Sequence, residues 1–227
     1  MEVLEPEEQI SSQTCFFREL KTLSDYAKIV LPEFKRGCRR ILSLPCSTGE
    51  EVYSIAMLTK EHGRFSFDVH GIDFNAKSLD TARKAEYECS LGAWSLLLPY
   101  FKQGWVESGS ELSGGVSVRI GQKVKAHTSF SVANALEKRV EGKHDAIFCL
   151  NFLYLFRHPE TKDVVLQNML PALKPGGFLL LDPPIRPELF VNGQYRRWQV
   201  VHNEFLRRLP EKYGLEKLAG TEIYRKE

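Results

Sequence analysis

The sequence predicts an α/β fold with a doubly wound, mostly parallel sheet and a small antiparallel β-subdomain. Three observations carry this. Short, largely apolar runs (Arg39–Leu44, Ala146–Leu150, Phe178–Leu181) read as strands buried on both faces. Between them lie stretches with apolar residues at helical spacing, the β-α-β order of a parallel sheet. Third, the run from Leu42 to Met57, LSLPCSTGEEVYSIAM, passes from strand through a tight loop of small residues into a helix. In such folds a ligand sits at that loop.

The elements follow in order. Residues 1–13 read as a polar lead-in and 14–227 as one domain. Phe16, Phe17, Leu20, Leu23, Tyr26, Ile29 and Val30 predict a helix that stops near Pro32. Arg39 to Leu44 is the first strand, and Gly49 to His62 a helix that ends at Gly63. Phe65 to Ile72 alternates like a strand and ends at Asp73; Asn75 to Ala85 is helical. Ala146 to Leu150 is an apolar strand, Glu160 to Leu173 a helix halted by Lys174-Pro175-Gly176-Gly177, and Phe178 to Leu181 another strand. Arg196 to Tyr213 reads as helix and Glu222 to Arg225 as a last edge strand. The stretch at about 99–130, with its Ser/Gly-rich ESGSELSGG, breaks the alternation. It is expected to form the small antiparallel excursion from the parallel sheet.

Composition narrows the function classes. With 43% hydrophobic residues the chain can bury one sizeable core. Its net charge of +2 gives no electrostatic case for nucleic acid or a membrane surface. Five widely spaced cysteines without a C-x-x-C pair suggest neither a zinc site nor a disulfide framework. The acidic start MEVLEPEEQI has no apolar signal-peptide core, and a reducing, cytoplasmic setting is expected.

The loop after the first strand has neither G-x-G-x-x-G nor a phosphate-loop lysine, so a pyrophosphate is not indicated. Glu50 and Glu51 instead suit a cationic ligand that also carries hydroxyls, as S-adenosylmethionine does; either carboxylate alone would also favour a helix N-terminus. Asp73 ends the second strand about 20 residues on, placed to accept from both ribose hydroxyls. The competing role is a cap for the helix that starts near Asn75. Arg18 is either a solvated helix arginine or a planar fork that holds a carboxylate. Asn151, at a strand's carboxyl end, is either in the ligand crevice or a turn residue. Asp182-Pro183-Pro184-Ile185 follows the wrong strand to act as an amino-methyltransferase D-P-P-Y motif, and His127, His144 and His158 lack metal-ligand spacing, so no metal is expected.

Together these pieces resemble the CheR family, S-adenosylmethionine-dependent methyltransferases that esterify glutamates on bacterial chemoreceptors. The resemblance runs from about Ser12 to Pro183. TxFFR appears as Thr14 to Arg18, the CSTGEExYSIAM signature as Cys46 to Met57, and TDID as Ile72 to Asn75. A-R-x-x-x-Y appears as Ala82 to Tyr87, F-x-x-x-N-L as Phe130 to Ala135, C-R-N-V-L-I-Y-F as Cys149 to Phe156, and LKPGG as Leu173 to Gly177. The resemblance implies a class I, Rossmann-like methyltransferase fold and S-adenosylmethionine as methyl donor. It implies donor contacts from Thr14, Arg18, Leu44, Glu50, Asp73, Phe74, Asn134, Ala135, Asn151 and Phe152, with Arg18 and Tyr154 at the reacting groups. It also implies a protein acceptor such as a chemoreceptor-like signalling protein; oligomeric state is left open. The sequence departs from the family at Ser12, at Leu44-Pro45, and at Leu155, which stands where the family has its tyrosine, with Tyr154 one residue early. The family's N-terminal helical domain is expected to be absent. Two other functions stay open: methyl transfer to another protein or a small molecule, and a non-catalytic donor-binding module.

Overall fold

A computed structural model describes residues 14–35, 37–112, 115–182 and 193–227; side chains are described outside 109–112 and 193–199. The strands are β1 (Cys38–Ser43), β2 (Ser66–Asp73), β3 (Glu86–Ser90), β4 (Val106–Leu112), β5 (Gly115–Ile120), β6 (Thr128–Val132), β7 (His144–Cys149), β8 (Leu173–Leu181), β9 (Leu215–Lys217) and β10 (Ile223–Lys226). Seven of them form one sheet in the order β6-β2-β1-β7-β8-β10-β9. The pairs from β6 to β8 are parallel, and β10 is antiparallel to both β8 and β9. The chain steps outward from β1 to β2 and β6, then returns to place β7 on the other side of β1. The order therefore reverses at β1, which puts the ligand crevice of a doubly wound sheet at its carboxyl end.

Side-chain alternation explains the two layers of helices. Ile41, Phe148, Phe178 and Leu180 join one buried cluster; Leu42, Ile147, Leu179 and Leu181 join the other. Successive strand residues point to opposite faces, so both faces must be covered. The first cluster holds the helices Glu50–His62 and Ala76–Lys84, and the second the helices Pro159–Met169 and Gly193–Tyr213. At the sheet's other end Asp145 accepts from the Arg40 amide at 2.9 Å and pairs with Arg39 at 3.0 Å and Lys174 at 2.8 Å.

Several elements differ from the sequence expectation. The first helix starts at Leu20, not near Thr14, and runs through a π turn at Tyr26–Val30 into Leu31–Glu33. Phe16 and Phe17 lie in turns before it. Phe17 has φ 54°, its amide donates to Ser54 Oγ at 3.0 Å, and its ring stacks on Tyr100 at 5.3 Å. Tertiary packing buries both rings without a helix. The helix Pro159–Met169 ends earlier than expected, and Lys174 to Gly177 lie within β8. β10 is interior; the edge strand is β9.

The three-stranded sheet β3-β5-β4 comes from residues 86–120 and carries the helix Leu91–Lys102, which the sequence reading left unassigned. The end of the stretch expected to form the antiparallel excursion, up to residue 130, instead holds a short helix, Gln122–Lys125, and β6, which joins the large parallel sheet.

Gly49 shows how tightly the loop is fitted. It caps the helix Glu50–His62 at φ 95°, and a Cβ there would stand 2.7 Å from Ala82 Cβ. A left-handed backbone and a collision penalise any side chain. Gly49→Ala is expected to lower stability by roughly 2–4 kcal/mol in urea unfolding; a loss below about 0.5 kcal/mol would show that the loop yields.

Candidate functional site

A cleft opens at the carboxyl ends of β1, β2 and β7. Its walls come from Thr14, Cys15 and Phe17 to Glu19, Pro45 to Ser47, the helix face of Glu51 and Ser54, Asp73 to Asn75, and Leu150 to Phe152 with Leu155. These stretches are far apart in sequence, and the reversal of strand order at β1 brings them together.

Asp73 is buried at the floor. Its Oδ2 accepts from the Ser47 amide and its Oδ1 from the Asn75 amide, both at 2.8 Å. A carboxylate has about four lone-pair positions, so two stay available to a ligand's hydroxyls. The helix cap is not Asp73 but Asn75, whose side chain accepts from the Lys77 and Ser78 amides. Phe74, by contrast, is 60% exposed at the rim.

The two adjacent glutamates part company. Glu51 lines the cleft and accepts from Ser43 Oγ at 2.8 Å. Glu50 lies outside the lining and accepts from Thr48 Oγ1 at 2.7 Å. Glu51 thus lines the cleft, and Glu50, the donor contact that the family resemblance implies, sits one residue before it at the helix start. Burial pushes Glu51 up to about 8 against the opposing Ser43 hydrogen bond, and nearby Asp182 adds to the rise. Burial likewise pushes Asp182 up to about 7, opposed by the Asn151 amide, which donates to its Oδ1 at 2.6 Å. Burial also raises the Cys46 and Cys149 thiols, so neither supplies a thiolate at neutral pH.

Arg18 reaches the cleft from the turn before the first helix, with its side chain 40% exposed and hydrogen-bonded to Tyr154. Leu155, not Tyr154, contributes to the wall. Three further sequence candidates fall outside the lining. Leu44 is buried in the second core cluster. Asn134 closes a turn after β6, its Oδ1 taking the Leu136 amide and its Nδ2 reaching Glu137. Ala135 is buried, and its carbonyl accepts from Asn168.

Backbone conformation adds a feature that no residue pattern announced. Phe17, Ser47 and Asn151 all have φ between 48° and 57°, and all three line the cleft. Left-handed non-glycine residues are costly and concentrate where a site fixes its backbone.

The fold and the cleft define a class I, S-adenosylmethionine-dependent methyltransferase architecture. Among solved structures, the N-methyltransferase NodS from Bradyrhizobium japonicum shares the fold at TM-score 0.50 and 15% identity, over 92% of this chain and 87% of that one. Residues 12–182 match the family "CheR methyltransferase, SAM binding domain", and the chain belongs to it. It is 34% identical over 176 residues to the chemotaxis protein methyltransferase of Salmonella typhimurium, covering 73% of this chain and 57% of that protein. It is 31% identical over 183 residues to the probable biofilm formation methyltransferase WspC of Pseudomonas putida, covering 77% of this chain and 41% of that one. The chain thus spans about half the length of these relatives.

Proposed function

We propose that the cleft binds S-adenosylmethionine and that the chain transfers its methyl group to a carboxylate, the side chain of a glutamate on a chemoreceptor-like signalling protein. The observation that carries this is the meeting of Arg18, Glu51 and Asp73 in one cleft at the carboxyl end of β1. Two acidic groups suit a donor with an ammonium and a ribose diol: Asp73 for the hydroxyls, Glu51 for the cationic methionine part. Arg18, on the cleft wall, is a cation that can meet an acceptor carboxylate. The names of the relatives support a protein acceptor. Among the described residues no helix is long and apolar enough to cross a membrane; a cytoplasmic setting is part of this proposal.

When bound, S-adenosylmethionine supplies a methyl group activated by its sulfonium. The protein's work is mainly positional. Asp73, held by the Ser47 and Asn75 amides, would take the ribose hydroxyls. Arg18 orients the acceptor carboxylate with its planar fork. A carboxylate is already ionised at neutral pH, so no general base is required.

Incubation of the chain with methyl-labelled donor and chemoreceptor cytoplasmic fragments is expected to leave label on protein that alkali releases as methanol. Alkali-stable label would reject an ester, and no transfer at all would reject the acceptor.

A further inference from the structure

The helix Gly193–Tyr213 packs beside the turn Leu153–Leu155 and brings His202 against Tyr154. The two rings meet edge to face, 6.4 Å between centres and 83° apart. His202 is 1% exposed, and its Nδ1 lies 3.2 Å from the Nζ of Lys162, itself 1% exposed on the helix Pro159–Met169. The Lys162 ammonium also sits 5.6 Å from the centre of the Phe205 ring. An ammonium has no acceptor, so Nδ1 accepts and the imidazole proton resides on Nε2. That fixes the tautomer and the ring plane. Nε2 is buried without a hydrogen-bond partner among the described residues. Two buried polar side chains are costly unless the structure gains something from their placement.

Tyr154 is in turn hydrogen-bonded to Arg18. The contacts thus run without a gap from Lys162 through His202 and Tyr154 to Arg18 on the cleft wall. We propose that His202 is a positioning residue for the acceptor side of the cleft: its ring, pinned by Lys162, buttresses Tyr154, and Tyr154 holds Arg18 toward the methyl acceptor. This rests on the acceptor role of Arg18 proposed above. It gives the C-terminal helix a part in turnover without contact with either substrate.

The test separates position from fold and from chemistry. Without the ring behind Tyr154, His202→Ala is expected to lower kcat for chemoreceptor-fragment methylation about tenfold. The Kd for S-adenosylhomocysteine should stay within about twofold, because the donor side is untouched. In a Tyr154→Ala background the same change should cost nothing further. The double variant Lys162→Met/His202→Phe keeps a ring and strands no buried charge, so it is expected to recover most of the lost rate.

A second arm needs no acceptor. In a chain labelled at tyrosine 13Cζ, the resonance absent from Tyr154→Phe should move in both His202→Ala and Arg18→Lys. Unchanged kcat, additive losses in the Tyr154→Ala background, or a Tyr154 resonance indifferent to His202→Ala would each overturn the relay. If the unaltered chain methylates nothing while the resonance still moves, the acceptor assignment fails and the relay stands.

Discussion

Asp73→Ala is expected to weaken S-adenosylmethionine binding by roughly 2–4 kcal/mol, about 30- to 900-fold in Kd. The size follows from two losses. Both ribose hydroxyls lose a charged acceptor, worth about 1.5–3 kcal/mol each before water compensates. The Ser47 and Asn75 amides, each held at 2.8 Å by this carboxylate, are released together, so the loop also loses its anchor. Asp73→Asn keeps one carbonyl oxygen and should fall between alanine and the native residue. Asn75→Ala tests the neighbouring cap: it removes the hydrogen bonds to the Lys77 and Ser78 amides, costs about 1 kcal/mol of stability, and should weaken donor binding less than Asp73→Ala because the Asn75 backbone amide stays. Calorimetric titration with S-adenosylhomocysteine reads all three. If Asp73→Ala loses stability but binds as before, Asp73 is a brace for the loop and nothing more.

The second large effect is a dependence on pH that runs opposite to that of a paired carboxylate. Burial moves Glu51 from its ordinary 4.5 up to about 8 and Asp182 from 3.8 up to about 7. Between these limits the folded chain binds more protons than the unfolded one, so stability falls as pH rises. The stabilising contribution is full below the unfolded values, near pH 4, and is lost as pH passes 7 and then 8. The decline between pH 5 and 8 should reach roughly 1–3 kcal/mol, and Glu51→Gln should flatten the upper part of it. Ligand binding has the opposite sign. A cation beside Glu51 favours the ionised form, so S-adenosylmethionine affinity should rise from pH 6 to 8 and binding at pH 7 should release a proton. Calorimetry in buffers of different ionisation enthalpy measures that release. Equal, pH-independent affinities for the native chain and Glu51→Gln would place the cation elsewhere.

The sequence made the donor half of the site legible because each part carried a local signal. The apolar run of β1, the small-residue loop and the helical periodicity of Val52, Ile55 and Ala56 all survive in the structure as elements. Asp73 could be placed by its distance from that loop. Orientation was less legible. Glu50 and Glu51 are adjacent, and a turn of about 100° per residue separates their directions; Ile55, four residues after Glu51, is core, while Ser54, four after Glu50, lines the cleft, so periodicity does not choose between them. The left-handed backbones of Phe17 and Ser47 carry no residue signature, because neither type favours that conformation. The start of the small sheet was missed although Glu86 to Ser90 alternates, with Tyr87 and Cys89 inward. Gly92 and Pro99 hid the helix Leu91–Lys102, which tolerates both. Long-range contacts such as Lys162 with His202 lie beyond any local pattern.

Tyr87 ties the small sheet to the donor loop. From β3 its hydroxyl donates to the Thr48 carbonyl at 2.8 Å, and its ring meets Phe16 at 5.1 Å and Tyr53 at 6.2 Å. One side chain therefore joins the three-stranded sheet to the loop that leads into the cleft. Thermodynamic linkage makes any such sharing two-way. A ligand that tilts β3 by binding the outer sheet changes donor affinity by some factor, and the donor changes that ligand's affinity by the same factor. A probe that binds the small sheet is therefore expected to shift donor affinity, and a Tyr87→Phe variant, which loses the Thr48 hydrogen bond, to weaken that shift.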